Sequence, residues 1–200
     1  MIKKIYKLPF EQLSPHSTGV IGPYAQPIAH VVSGDEVKVE TWDCYGGVVK
    51  PGQTRQYAVE RGIKIPANPV TGPIYIEGAE AGDTLVIDIL GIEMSERGFT
   101  SLGQGVSPIG LQIEQTKTRF CEIIGNKINY VTDKGKSISL DADPFIGTIG
   151  VSPISEAVST ITPGTHGGNM DCPDIRPGAR LLLNVKRQGA LLCLGDVHAI

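Results

Sequence analysis

Apolar residues along this chain recur at every second position in short runs, each bounded by glycine, proline, asparagine or aspartate. Three runs follow the same kind of turn. They are Ser33-Gly34-Asp35-Glu36-Val37-Lys38-Val39, Ala81-Gly82-Asp83-Thr84-Leu85-Val86-Ile87 and Pro177-Gly178-Ala179-Arg180-Leu181-Leu182-Leu183. Glycine supplies the positive φ of a tight turn, and the alternation that follows lays one strand face on a core. Lys38 interrupts the first copy, which predicts a half-exposed strand. Val86 and Leu182 continue the other two, which predicts strands buried on both faces. Further strands are predicted at 74–76, 120–124, 127–131, 137–140 and 190–194, with Gly125-Asn126 closing a hairpin. One short helix is predicted near 155–160. Three longer stretches, 45–73, 91–112 and 147–178, read as loops that build a site. The expected fold is all-β, a β-sandwich or distorted barrel with long Gly/Pro-rich loops and little helix, formed by residues 1–200 as one domain.

Composition narrows this further. The 200 residues include 25 glycines and 14 prolines, which excludes long helices, because each costs a helix interior about 1 and about 3 kcal/mol respectively. The glycines keep no three-residue period, so the chain is not collagen-like. A net charge of -3 without a basic stripe argues against nucleic acid as a partner. The stretch after Met1-Ile2-Lys3-Lys4 is too short for a signal sequence. The apolar stretch 181–194 is broken by Lys186-Arg187-Gln188, so no membrane partner is expected. Cys44, Cys121, Cys172 and Cys193 form no CxxC pair and read as reduced thiols, Cys121 and Cys193 within core strands. A cytoplasmic protein is expected.

Candidate chemistry gathers in three places. In Pro163-Gly164-Thr165-His166-Gly167-Gly168-Asn169-Met170-Asp171 the glycines allow close backbone approach, so His166 either binds a metal or is a satisfied histidine in a glycine-rich turn. In Gly195-Asp196-Val197-His198 the two polar side chains share a strand face, as a metal site, an oriented base or a surface ion pair. Counting from Val37, Asp43 falls on the inward face, where a carboxylate is costly unless paired or metal-bound. Asp43, His166, Asp196 and His198 together suit zinc or another divalent ion that activates water. Cys44 and Cys172 are weaker nucleophile candidates, because neighbouring aspartates raise a thiol's pKa. His16 and His30 read as peripheral, His30 with a place as an extra ligand.

These motifs resemble those of the acetamidase/formamidase family. Thr165-His166-Gly167-Gly168-Asn169-Met170-Asp171 is similar to its HGGN-D motif, and Gly195-Asp196-Val197-His198-Ala199 to the start of its GD-HA-QGDGE motif. The segment from Asn68-Pro69 through Thr71-Gly72-Pro73 to Gly82-Asp83 and the strand end Glu40-Thr41-Trp42-Asp43 match as well. The resemblance implies an all-β, oligomeric hydrolase of short-chain amides such as formamide and acetamide, with a divalent metal, zinc foremost. It implies Asp43, His166 and Asp196 as metal ligands, His198 as proton shuttle or further ligand, and Asn169 as substrate donor. Asp171 would orient His166 or cap the turn. The family pattern runs on past Ala199, so residues 1–200 are expected to be one domain or the larger N-terminal part of a longer enzyme. The expected state is then a homo-oligomer or a complex with a chain carrying the rest. The alternative functions are a non-catalytic small-ligand-binding β module or an inactive fragment on the same scaffold, and a cysteine amidase.

Overall fold

The computed structural model describes residues 4–9, 19–66, 68–103 and 109–200. His16 lies outside the described residues. The strands are β1 (Ile5–Leu8), β2 (Val20–Ile21), β3 (Ala29–Val31), β4 (Glu36–Val39), β5 (Val70–Ile76), β6 (Thr84–Asp88), β7 (Arg97–Leu102) and β8 (Lys117–Ile124). They continue as β9 (Lys127–Val131), β10 (Ser137–Asp141), β11 (Phe145–Gly150), β12 (Val158–Ser159), β13 (Gly167–Asn169), β14 (Arg180–Asn184) and β15 (Leu192–His198). A five-stranded sheet in the order β13-β11-β15-β5-β3 is the spine, and a four-stranded meander runs β10-β9-β8-β7. Three two-stranded ribbons complete the set: β1-β4, β12-β2 and β14-β6. The all-β expectation holds. No sheet closes on itself among the described residues, so the layered form stands and the barrel does not.

The central sheet is buried on both sides. Every residue of β11 is buried, as is β5 from Val70 to Ile74. Ile74, Ile146, Ile149 and Leu192 pack with Leu183 of the β6–β14 ribbon, with Ile89 just after β6 and with Leu8 of the β1–β4 ribbon. Ile21 of the β2–β12 ribbon packs with Val70 and Cys193 in a separate cluster. Pro73 lies within β5 because the ladder opens there: Leu192 pairs with Ile74, but Leu194 pairs with Thr71. Gly72 sits in this irregularity at φ +138, and a β-carbon on it would stand 2.7 Å from the Leu192 carbonyl oxygen.

Three sequence expectations need correction. The second and third turn-and-strand copies are not buried on both faces. They pair with each other, Val86 directly opposite Leu182, as a two-stranded ribbon. Only one face of a ribbon meets the sheet, so Val86 is 50% and Leu182 59% exposed. The helix expected near 155–160 is absent; Val158–Ser159 is β12, drawn into pairing with β2. Among the described residues the α-helix is α1 (Arg55–Glu60), inside the stretch read as loop. Its N-cap is Thr54, whose hydroxyl accepts the Tyr57 N–H at 3.0 Å. The predicted hairpin forms as β8 and β9, with Gly125 at φ +58 in its turn.

Candidate metal centre and amide site

The last strand carries two of the chemically useful side chains. Asp196 and His198 both lie in β15, antiparallel to β11. Asp196 takes φ +52, an unusual value for a residue with a side chain. Strain of this kind concentrates at functional sites. Asp171 arrives from the other side of β11, also in the left-handed region at φ +45. Its backbone N–H and that of Met170 both donate to the Gly147 carbonyl, at 3.1 and 3.0 Å. That shared acceptor turns the chain after β13 back over β11. Gly147 must lack a side chain here, because a β-carbon would stand 2.8 Å from His198 Nε2 and 2.7 Å from the Asp196 carbonyl oxygen.

The outcome is a tight acidic cluster. His198 Nε2 lies 3.5 Å from Asp171 Oδ1 and 3.5 Å from Asp196 Oδ2. One ligand atom from each of the three residues falls within 4.8 Å of the others. The hydrogen bond to Asp196 holds the His198 imidazole above its ordinary range, against the opposing effect of burial, and the charges of Asp196 and Asp171 add to the rise. Burial pushes the Asp171 carboxyl up; His198 opposes this and Asp196 adds to it. Two carboxylates and one imidazole crowded in this way form a donor set for a divalent ion, whose charge would relieve the repulsion. The residues present therefore fit a metal of the zinc type.

The other expected residues sit as follows. Asp43 and Cys44 line the same open cleft as the cluster. Asp43 is exposed rather than inward, because β4 ends at Val39 and the strand parity lapses. Its Oδ1 accepts the N–H groups of Tyr45 and Gly47, at 2.8 and 3.1 Å. Burial and then the charges of Asp196, Asp43 and Asp171 push the Cys44 thiol up to about 12, which disfavours the thiolate a nucleophile needs. His166 is 5% exposed and contributes no atom to the cluster. A β-carbon on Gly164 or Gly168 would come within 3.0 Å of a His166 ring nitrogen, so those glycines enclose the ring. Its Nε2 is buried with no partner among the described residues, and burial lowers its pKa while Glu156 opposes. Asp171 therefore meets His198, not His166. His30 pairs with Glu77 at 2.7 Å and stacks on Tyr75, away from the cluster.

Asn169 is held by two residues that the sequence reading gave no role. Its Oδ1 accepts the Thr148 hydroxyl at 2.8 Å and Asn68 Nδ2 at 3.2 Å. Asn68 lies within a quoted motif, but nothing in the sequence links it to Thr148, 80 residues on. Gly147, without a side chain, carries no local sign of its place either.

The profile of the acetamidase/formamidase family matches residues 21–158 and 154–200. A formamidase of Methylophilus methylotrophus is 24% identical, over 98% of this chain and 62% of its own length. The solved structure of an acetamidase from Bacillus halodurans is 35% identical with a TM-score of 0.85, over 97% of this chain and 62% of that one. A predicted acetamidase/formamidase from Thermoanaerobacter tengcongensis is 33% identical with a TM-score of 0.86, over 99% of this chain and 62% of that one. The chain thus spans about three fifths of the length of these relatives. With the family profile matched along most of its length, the chain belongs to the acetamidase/formamidase family.

Proposed function

We propose that the chain is, or forms the larger part of, a metal-dependent amidase that hydrolyses short-chain amides such as formamide and acetamide to carboxylate and ammonia. The observation that carries this reading is the convergence of Asp171, Asp196 and His198 on one point of an open cleft. In this reading the three side chains hold a divalent ion, zinc foremost, and leave the cleft side open for substrate. The ion, when bound, supplies positive charge that acidifies water and polarises a carbonyl. Asn169 turns its Nδ2 hydrogens to the amide oxygen, where negative charge develops. Asp43 keeps one carboxylate oxygen on backbone amides and offers the other to a proton leaving water and bound for the departing ammonia. Cys44, held protonated, is a neutral wall of the same cleft.

The working molecule in this reading is cytoplasmic. It is a homo-oligomer. Among the described residues no helix is long and apolar enough to cross a membrane. A second reading is a module that binds a small amide without turning it over. Elemental analysis of the purified protein, with ammonia release from formamide and acetamide, separates these. About one metal per chain and ammonia release are expected, both lost in Asp196→Asn. Active protein without metal would overturn the metal role, and metal-loaded protein that binds but never hydrolyses would leave the binding module.

A further inference from the structure

The cleft that holds the charged cluster is far larger than a small amide needs. Its volume is about 2530 Å³, against roughly 300–1,000 Å³ for a pocket that encloses a small molecule. Formamide or acetamide would leave nearly all of it unfilled. The central sheet contributes Ile76 and Leu194 to its lining, β4 contributes Val37 and Val39, and β6 contributes Leu85 and Ile87. All six pack against the main apolar cluster, yet all are only half-buried. In the separate cluster around Ile21, Val70 and Cys193 of the same central strands are 1% and 2% exposed. The main core is therefore open where it meets the cleft. Apolar surface left facing a cleft of this size marks a binding surface.

Backbone and charge narrow what fits there. Among the described residues β6 pairs only with β14. Val185 N–H donates to the Asp83 carbonyl and Ile89 N–H to the Ala179 carbonyl, at 2.9 and 3.0 Å. Antiparallel bonding alternates along a strand, so Leu85 and Ile87 turn their peptide groups to β14, while Thr84, Val86 and Asp88 turn theirs away. β4 is bonded on one side in the same manner, Glu36 and Glu40 N–H donating to the Lys4 and Leu8 carbonyls. Both open edges line the cleft, and an open row of backbone donors and acceptors is a template for another strand. Ten carboxylates line the cleft against Lys38, Lys50 and Arg97. Lys38 is taken by Glu93 and Asp88 by Arg180, each at 2.7 Å, so the acidic excess persists. Such a field repels an anionic occupant and attracts a cationic one.

We propose that the cleft is the docking site of a partner polypeptide, a strand in which apolar residues alternate with lysine or arginine. Its backbone pairs with the open edge of β6, the longer and more exposed of the two. Its apolar side chains complete the half-covered cluster, and its cations meet the carboxylates. Volume selects a polypeptide over a small molecule. The open edge selects it over an acyl chain, and the charge selects a basic strand over an acidic one. Docking of this kind does not depend on which amide the centre takes.

The test uses the full chain and a short fluorescent peptide alternating lysine and valine. Binding with a Kd on the order of 10–100 μM is expected, weakened about tenfold when glutamate replaces lysine and weakened further as salt rises. Amide hydrogen exchange at Val86 should slow when the peptide binds. Val86→Pro removes an outward donor, leaves the bonds to β14 in place, and should raise Kd about tenfold. Should that variant fail to fold, Val86 exchange in the parent chain decides. No binding at about 1 mM peptide overturns the proposal. So does equal affinity for the glutamate peptide, or a Val86 amide that exchanges equally fast with the peptide bound. Two other occupants would overturn it as well. Dodecyltrimethylammonium, which has the charge but no backbone, would assign the cleft to an amphiphile if it binds as tightly and excludes the peptide. Sedimentation showing paired copies, with Val86 protected before any peptide is added, would assign the edge to a second copy of this chain.

Discussion

A single hydrogen atom at Gly147 makes room for the candidate centre. The His198 ring and the Asp196 backbone occupy the space a β-carbon would need, and the same residue's carbonyl anchors Asp171. Gly147→Ala is expected to cost about 1–3 kcal/mol, as overpacking does, and to weaken zinc binding beyond what the stability loss explains. Urea unfolding alongside a zinc titration checks both. The cluster also fixes a pH dependence. His198 and Asp171 both hold their protons more tightly folded than unfolded, since both pKa values are raised. A raised group contributes stability in full below its unfolded pKa and loses it as pH rises through the folded value. For His198 that window opens at its ordinary 6.5 and extends upward. The metal-free protein should therefore lose stability as pH climbs above neutrality, and His198→Asn should flatten that slope. Unfolding midpoints across pH in a chelator would show it, and a steeper slope in the variant would contradict it. The Asp196–His198 pairing was legible in their two-residue spacing; the parts of Gly147 and Asp171 were not, because Gly147 has no side chain to advertise a role and Asp171 reads equally well as a turn cap.

Strands reveal where the alternating pattern informs and where it misleads. β8, β9 and β10 lie where alternation and the Gly125 turn put them. β6 and β14 also lie where expected, but their uninterrupted apolar runs mimic a doubly buried strand. Pairing with each other rather than insertion into the central sheet leaves Val86 and Leu182 facing outward. Ile149, from an equally apolar run in β11, is 1% exposed. Ile149→Ala should cost about 2–5 kcal/mol, whereas Leu182→Ala should stay within about 0.5 kcal/mol. Denaturant unfolding of the two variants checks the contrast, and comparable losses would mean that the ribbon is covered. The short helix α1 is too brief, at six residues, to show a helical period, and Thr54 is its local sign.

Over the whole molecule, the site depends on segments far apart in sequence. Asp171 follows β13, Asp196 and His198 lie in β15, and β11 stands between them in the sheet. Zinc held by all three should tie these segments together, so that free zinc at about a hundred times Kd adds about 2.7 kcal/mol of stability. Thermal unfolding with and without chelator measures this increment, and Asp196→Asn should abolish it. A protein whose unfolding ignores zinc would place the metal elsewhere. The sequence by itself determined the strand-rich class, the turn positions, and the residues able to do chemistry, Asp196, His198 and Asn169 among them. Alternation and glycine φ preferences act over a few residues, so they can be read from one segment at a time. The tertiary structure alone decided that Asp171 stands beside His198 while the His166 ring turns in among glycines. It also decided that Asn68 and Thr148 hold Asn169 and that Asp43 leaves its strand's parity. Those outcomes follow from which strands pair and where the ladders open, and pairing is a long-range free-energy balance that no local pattern encodes.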